Sequence, residues 1–206
     1  MRSLSPICFI TGLADTDTDI GGTVSALLET GVRFIQYREK SKTKREIFFE
    51  ALKLREITRR FGACFIVNDY ADIALAVDAD GVHLGQEDLP LREAKKIMGS
   101  RIVGISTHNM NEAGEAEKGG ADYIGFGPIF HTATKDAGEP KGVDALRMIK
   151  DALKIPVIAI GGIKGDNVRS VFDAGCDGVA VSSGLLRGDI RENARKFLSI
   201  IEEDTG

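Results

Sequence analysis

The chain has 206 residues, of which 43% are hydrophobic and 28% charged, and its formal net charge is −4. This length fits one folded domain, and the composition is that of a globular protein with a buried core. A negative net charge argues against a nucleic-acid or membrane-surface binder, because the contact surfaces of such proteins are basic. There is no apolar leader, no run of roughly 18 apolar residues and no close cysteine pair, so we expect a cytoplasmic protein without a membrane span.

Eight short apolar segments recur along the chain and predict β-strands. They are rich in β-branched residues and almost continuously apolar, as parallel strands covered on both faces are. In chain order the predicted strands are 7–10, 33–36, 64–67, 81–84, 101–105, 122–126, 156–160 and 178–181.

Amphipathic segments lie between these strands and predict helices. The clearest is 44–61, where Ile47, Ala51 and Leu54 fall on one helical face, and the last covers about 191–202. Eight strand–helix units without a linker predict a single-domain (β/α)₈ barrel over residues 1–206. An open doubly wound sheet fits the same alternation, but eight evenly spaced units favour a closed barrel.

Polar residues follow nearly every predicted strand, at the end of a barrel where active sites form. Gly161-Gly162 and Ser182-Ser183, after strands seven and eight, can present backbone N–H groups at helix N-termini to a phosphate. Arg38, Lys40 and Lys135 add cations for a second, more highly charged anion. Ordinary tight turns and solvated surface charges are the respective alternatives.

Asp69 and Asp88 follow the neighbouring strands three and four. Two carboxylates beside phosphate-binding cations are typical of a Mg²⁺ site that leaves positions for water and substrate. Taken singly, each aspartate is more often a helix N-cap, and Asp88 precedes Leu89-Pro90 as a cap would. As a pair in this setting, they favour the metal interpretation.

The three histidines are less informative. His83 lies within a strand and fits a buried core residue as well as a polar contact. His108 follows strand five and could contact substrate or orient a neighbour, whereas His131 is expected to be solvated. No Cys–His or Ser–His–Asp arrangement is indicated, so covalent catalysis is not expected.

With these residues laid out, the chain resembles the thiamine phosphate synthase family along nearly its whole length. A single Gly-Gly-Ile is common among phosphate-binding barrels, but six matching segments in order are specific. They are Gln36-Tyr37-Arg38-Glu39-Lys40, Val67-Asn68-Asp69, Gly81-Val82-His83-Leu84-Gly85-Gln86-Glu87-Asp88, Ser106-Thr107-His108, Gly127-Pro128-Ile129-Phe130-His131-Thr132-Ala133-Thr134-Lys135 and Ile160-Gly161-Gly162-Ile163.

The resemblance implies two small phosphorylated heterocyclic substrates, hydroxymethylpyrimidine pyrophosphate and a thiazole phosphate, with Mg²⁺ held by Asp69 and Asp88. The implied pyrimidine-pyrophosphate residues are Gln36, Arg38, Lys40, Asn68, Ser106 and Lys135. The implied thiazole-phosphate residues are Thr132, Thr134, Gly162, Ser182 and Ser183. Among these, the expected catalytic residues are Arg38, Lys40, Ser106 and Lys135. Whether the chain forms a homo-oligomer is left open.

Four positions depart from the usual pattern of the family: Thr11-Gly12, Tyr37, Tyr70 and Ser182. At Ser182 an apolar residue is more usual, so the phosphate contact there is expected from the backbone. The nearest rival function is a thiazole tautomerase on the same barrel, which lacks the aspartate pair and the Thr-x-Thr-Lys loop. A non-catalytic phosphometabolite-binding regulator is the rival from another class, and a turnover assay separates the two.

Overall fold

Eight parallel strands form a closed barrel in the computed structural model, which describes residues 4–12, 19–132 and 138–202. Each strand pairs with the next along the chain, and β8 pairs with β1. The strands are β1 Ile7–Ile10, β2 Phe34–Tyr37, β3 Cys64–Asn68, β4 Gly81–Leu84, β5 Ile102–Thr107, β6 Tyr123–Phe126, β7 Val157–Ile160 and β8 Gly178–Val181. The predicted (β/α)₈ barrel is confirmed, and the predicted strands differ from these only by a residue or two at their ends.

Helices follow the strands and cover the outside of the barrel. The longest, α2, begins with a capping box in which the Thr43 hydroxyl accepts from the backbone of Glu46 and the Glu46 carboxylate accepts from the backbone of Thr43. The helices are α1 Ile20–Thr30, α2 Lys44–Arg60, α3 Ala71–Ala76, α4 Leu91–Met98, α5 Met110–Lys118, α6 Gly142–Ala152, α7 Val168–Phe172, α8 Ser183–Leu186 and α9 Ile190–Glu202. No helix in the described ranges is long and apolar enough to cross a bilayer.

Side chains alternate between the two faces of each strand, which divides the core into two parts. In β2, Ile35 and Tyr37 point outward into the apolar layer beneath the helices. Phe34 points inward and belongs to a small apolar cluster inside the barrel, whereas Gln36 lines a cavity. The apolar cluster closes the bottom of the barrel interior. Polar side chains nearer the strand C-termini therefore form the floor and walls of an opening at the other end.

Candidate active site

A cavity of about 270 Å³ opens where the strands end, on the face expected for a barrel enzyme. Its walls come from all eight strands and from several of the loops that follow them. The predicted site residues that line it are Gln36, Arg38, Asn68, Ser106, Thr132, Gly162, Ser182 and Ser183. Thr134 and Lys135 lie outside the described residues.

Four predicted residues form a hydrogen-bonded line from the cavity wall to its rim. Inside the barrel, Gln36 Nε2 donates to Asn68 Oδ1 at 2.7 Å, and Asn68 Nδ2 donates to Asp69 Oδ1. At the rim, Lys40 Nζ lies 2.7 Å from Asp69 Oδ2. The Lys40 side chain is 55% exposed and that of Asp69 only 11%, so the lysine lies toward solvent and the carboxylate is largely shielded.

Neither aspartate of the predicted metal pair is a helix cap. Asp69 has a left-handed backbone, with φ of 64°, and the residue at the N-cap of α3 is Tyr70, which makes no side-chain cap bond. Asp88 Oδ2 instead accepts from the backbone N–H of Gly85 at 2.7 Å, within the loop after β4. The N-cap of α4 is Pro90, so Asp88 lies outside the helix. The capping interpretation is therefore wrong for both residues.

The two carboxylates influence one another electrostatically. Burial raises the pKa of Asp88, and the nearby carboxylate of Asp69 raises it further, while the Gly85 N–H and the Lys40 ammonium act in the opposite direction. A like-charged, half-shielded pair at the rim of a cavity is an arrangement that a divalent cation would neutralise. Magnesium proteins commonly supply one or two carboxylates and leave the remaining positions to water and substrate phosphate. No cluster of three or more potential metal ligands occurs in the described part of the chain.

Arg38 is fixed through its backbone by Thr11, which follows β1. The Thr11 hydroxyl accepts from the Arg38 N–H at 2.8 Å and donates to the Arg38 carbonyl at 3.0 Å. A side chain on the next residue, Gly12, would lie 2.4 Å from that same carbonyl oxygen, so glycine is required there. Thr11, which matches the family pattern, thus supports the backbone of Arg38, and the departure at Gly12 places a glycine beside that contact.

The turn after β7 packs its glycines against the loop after β6. Gly161 and Gly162 have φ of 100° and 66°, and a Cβ on either would come within 2.5 Å of the Pro128 side chain or the His131 carbonyl, respectively. The following helix, α7, begins only at Val168. The expectation of a helix N-terminus directly at this turn is therefore wrong. Any phosphate contact here would come from the backbone of the turn itself.

The turn after β8 differs, because α8 begins at once. Ser182 is the N-cap residue of α8 and Ser183 its first residue, and both line the cavity. The Ser182 hydroxyl oxygen is buried and has no hydrogen-bond partner among the residues that the structure describes. Ser183 is exposed.

The histidines occupy three different environments. His83 is buried inside the barrel, with Nδ1 2.9 Å from the Tyr123 hydroxyl and Nε2 2.9 Å from the Ser106 hydroxyl, so it is a polar contact and not an apolar-core residue. His108 lines the cavity and contacts Glu112 through Nδ1 at 2.9 Å. His131 is exposed, as predicted.

Several residues that support the site were not predicted from the sequence. Besides Thr11, they are Tyr123, which reaches His83, and Thr107, which lines the cavity and donates to the Gly125 carbonyl at 3.1 Å. Gln86 ties the loop after β4 to the end of β5 by donating to the Ser106 carbonyl at 2.6 Å. For Thr11, Thr107 and Gln86 the available signal was a position at or just after the C-terminal end of a strand, whereas Tyr123 begins β6 and gave no such signal.

Comparison with known proteins gives one consistent result. The family model described as thiamine monophosphate synthase matches residues 7–185. The thiamine-phosphate synthase of Chloroflexus aurantiacus is 47% identical over 180 residues, covering 86% of this chain and 83% of the relative. That of Methanosarcina barkeri is 46% identical over 195 residues, covering 92% and 88%.

A solved structure shows the same likeness in three dimensions. Thiamine phosphate pyrophosphorylase from Pyrococcus furiosus superposes with a TM-score of 0.89 at 42% identity, covering 97% of this chain and 96% of that one. Sequence and structure therefore agree over nearly the full length of the chain, including the strand ends that form the cavity. The chain belongs to the thiamine monophosphate synthase family of enzymes.

Proposed function

We propose that this protein is a thiamine phosphate synthase that joins hydroxymethylpyrimidine pyrophosphate to a thiazole phosphate and releases pyrophosphate. The observation that carries the proposal is the line Gln36–Asn68–Asp69–Lys40, which runs from the cavity wall to the rim. It provides amide groups inside the barrel for a polar heterocycle and charged groups at the mouth for a polyanion. The identity of the two substrates is inferred from the resemblance to this family.

We propose that Asp69 and Asp88 hold Mg²⁺ against the pyrophosphate. The like-charged neighbour Asp69, which raises the pKa of Asp88, fits a cation that the two carboxylates share with substrate oxygens. When bound, magnesium would neutralise charge on the pyrophosphate as it departs. Lys40, which is paired with Asp69, would contact the same phosphate oxygens.

The proposed reaction is a dissociative substitution that needs no general base. The bond between the pyrimidine methylene carbon and the pyrophosphate oxygen breaks, and its electron pair leaves with the oxygen. The aminopyrimidine stabilises the resulting cation, and the lone pair of the thiazole nitrogen then forms the new N–C bond. Arg38 and Lys40 stabilise the negative charge that develops on the leaving group, and the same role is proposed for Lys135. Ser106 completes the contacts to the pyrimidine substrate.

The thiazole phosphate is proposed to bind at the opposite side of the cavity. Thr132 and Gly162 lie on one wall there, and Ser182 and Ser183 lie at the start of α8. Backbone N–H groups would bind the phosphate, with Thr134 added from the same loop as Thr132. Anchoring the substrate by this distant end would direct its ring nitrogen toward the pyrimidine methylene. We assign the reaction to the cytoplasm, since none of the three cysteines forms a disulfide.

Incubation of the purified protein with both substrates and Mg²⁺ tests the function. We expect thiamine phosphate and pyrophosphate to appear in equal amounts, and omission of either substrate to abolish both. Absence of product with saturating substrates would overturn the proposal. Full activity after thorough chelation would reject the metal role while leaving the synthase function intact.

A further inference from the structure

Three side chains form a hydrogen-bonded row inside the cavity. The His83 ring lies in the middle, with the Tyr123 hydroxyl at 2.9 Å on one side and the Ser106 hydroxyl at 2.9 Å on the other. All three residues line the cavity, and Tyr123 and His83 are buried. The row therefore connects the barrel interior to a residue that the proposed function assigns to the pyrimidine substrate.

Strand register explains how the row forms. His83 on β4 is level with Gly104 on β5, and Gly104 is level with Tyr123 on β6. A Cβ on Gly104 would lie 2.2 Å from Tyr123 Cζ, so the tyrosine ring occupies the space that a side chain on β5 would fill. One level higher, Ser106 pairs with Gly125, whose missing side chain leaves room beside the His83 ring. Two glycines thus allow side chains from three adjacent strands to meet.

The direction of the hydrogen bonds follows from the chemistry of the tyrosine. Burial raises the pKa of Tyr123 well above its ordinary value, so the phenol keeps its proton. His83 is the only hydrogen-bond partner of that hydroxyl in the described part of the chain. If His83 Nδ1 carried a proton, the phenol proton would be buried without an acceptor, which is costly. Nδ1 must therefore accept from the tyrosine.

A neutral ring that accepts at Nδ1 carries its proton at Nε2. A positively charged ring would also carry a proton at Nδ1, so the same argument excludes it. The ring is therefore neutral near pH 7. Its Nε2–H donates to the Ser106 oxygen, which leaves the serine proton free to point away from His83.

We propose that Tyr123 and His83 are positioning residues that make the Ser106 hydroxyl a hydrogen-bond donor directed into the cavity, toward an acceptor atom of the pyrimidine pyrophosphate. This inference rests on the proposed function for the identity of that substrate. Phosphate oxygens and pyrimidine ring nitrogens accept hydrogen bonds, whereas an exocyclic amino group donates. A fixed donor at Ser106 thus favours binding of the substrate in one orientation.

Nitrogen-15 NMR of the substrate-free protein shows which ring nitrogen of His83 carries the proton. It therefore tests the direction of the hydrogen bonds in the row without an activity measurement. The chain has three histidines, so the double variant His108→Gln/His131→Gln leaves only the His83 signals. Near pH 7.5 we expect a neutral ring protonated at Nε2. Protonation at Nδ1, or a positively charged ring, would overturn the inference.

Kinetics test the consequence for the substrate. Ser106→Ala should lower kcat/KM for the pyrimidine substrate about 10-fold, the loss expected for one hydrogen bond to a polar group, without changing KM for the thiazole phosphate. Tyr123→Phe should lower the same ratio by a smaller factor. In the Ser106→Ala background, Tyr123→Phe should have no further effect, because the hydroxyl that it positions is gone.

Tyr37→Phe is the matched control, since it also removes a tyrosine hydroxyl, one that donates to Glu50 outside the barrel. Its effect should be the same in both backgrounds. Independent, multiplying losses for Tyr123→Phe and Ser106→Ala would contradict the positioning role. If no thiamine phosphate forms at all, the proposed function fails, and the NMR result still decides the direction of the row.

Discussion

The two sides of the cavity are built from different chemical groups. On the β2–β4 side, the side chains of Gln36, Asn68, Asp69 and Lys40 form a connected line. On the β7–β8 side, the glycine turn at 161–162 and the start of α8 offer mainly backbone. The first side should thus be sensitive to the loss of a functional group, and the second to the addition of a carbon atom. Substitutions on each side test this difference.

The largest effect is expected on the side-chain half, at Asp69. Asp69→Asn keeps the shape and tolerates the left-handed backbone at φ of 64°, whereas alanine there would add conformational strain. Removing one of two proposed magnesium ligands should lower kcat about 10³-fold, since metal stabilisation of a leaving group is worth several kcal/mol. Steady-state assays at saturating magnesium measure this.

Asp72→Asn is the matched control, because Asp72 is an exposed aspartate that also pairs with a lysine, Lys44. It should retain wild-type turnover. If Asp69→Asn turned over as fast as the wild type with magnesium saturating, the metal assignment would be wrong. A melting temperature near that of the wild type would show that the loss is chemical and not structural.

The side-chain half should also make stability depend on pH, through His83. In the unfolded protein the pKa of the His83 ring is about 6.5, and burial lowers this pKa to about 4 in the folded protein. Between these values the unfolded state binds more protons, so acid favours unfolding. The free energy of unfolding should fall by about 3 kcal/mol as pH drops from about 6.5 to about 4.

Denaturant unfolding of metal-free protein at several pH values measures this slope. His83→Gln should lose most of it. His131→Gln, which removes an exposed histidine, should keep the wild-type slope. Equal slopes in the His83→Gln variant and the wild type would show that another group is responsible.

On the backbone half, the sensitive change is the addition of a Cβ at Gly162. The new atom would lie 2.5 Å from the His131 carbonyl oxygen and 2.8 Å from Phe130 Cβ, at a φ of 66°. Gly162→Ala should therefore lower the free energy of unfolding by about 2 kcal/mol. It should also raise KM for the thiazole phosphate about 10-fold, the cost of displacing a hydrogen-bond donor by a fraction of its length, with KM for the pyrimidine substrate unchanged.

Gly188→Ala is the control that separates the effect of backbone strain at positive φ from the effect of steric contact between the new Cβ and its neighbours. Gly188 has a similarly positive φ of 83°, but a Cβ there would meet nothing within 4 Å, and the residue does not line the cavity. This variant should lose about 1 kcal/mol of stability and keep both KM values. A matching rise in KM for both alanine variants would mean that the glycine turn does not hold the phosphate.

Most of the fold could be predicted from the sequence, because strand pattern and spacing are local properties. Eight nearly continuous apolar segments specify parallel strands, and their number specifies closure. The start of α7 could not be predicted in this way. Gly161-Gly162 resembles a turn into a helix, yet its backbone packs against the loop after β6, and that contact depends on tertiary structure.

In the site, too, features set by local sequence could be predicted and features set by tertiary contacts could not. Asp69 was predicted because it follows a strand, and Gln36 and Asn68 were implied by the family resemblance. The partnership of Tyr123 with His83 could not be predicted, because it depends on strand register and on the missing side chain of Gly104 between them. Likewise, the support of Arg38 by Thr11 is made across two strands, which no local pattern records.

The smallest predicted effect, at Ser182, tests whether the backbone half really depends on backbone. The Ser182 hydroxyl is buried without a partner in the described residues, so it gains nothing in the substrate-free protein. Ser182→Ala removes only this hydroxyl, and should change the free energy of unfolding by less than about 0.5 kcal/mol and KM for the thiazole phosphate by less than about threefold. Calorimetry and steady-state assays measure the two quantities. If KM for the thiazole phosphate instead rose by about an order of magnitude, the hydroxyl would be assigned to the phosphate. The β7–β8 side of the cavity would then bind phosphate through both side-chain and backbone donors. It would differ from the aspartate side only in how much of the binding comes from backbone groups.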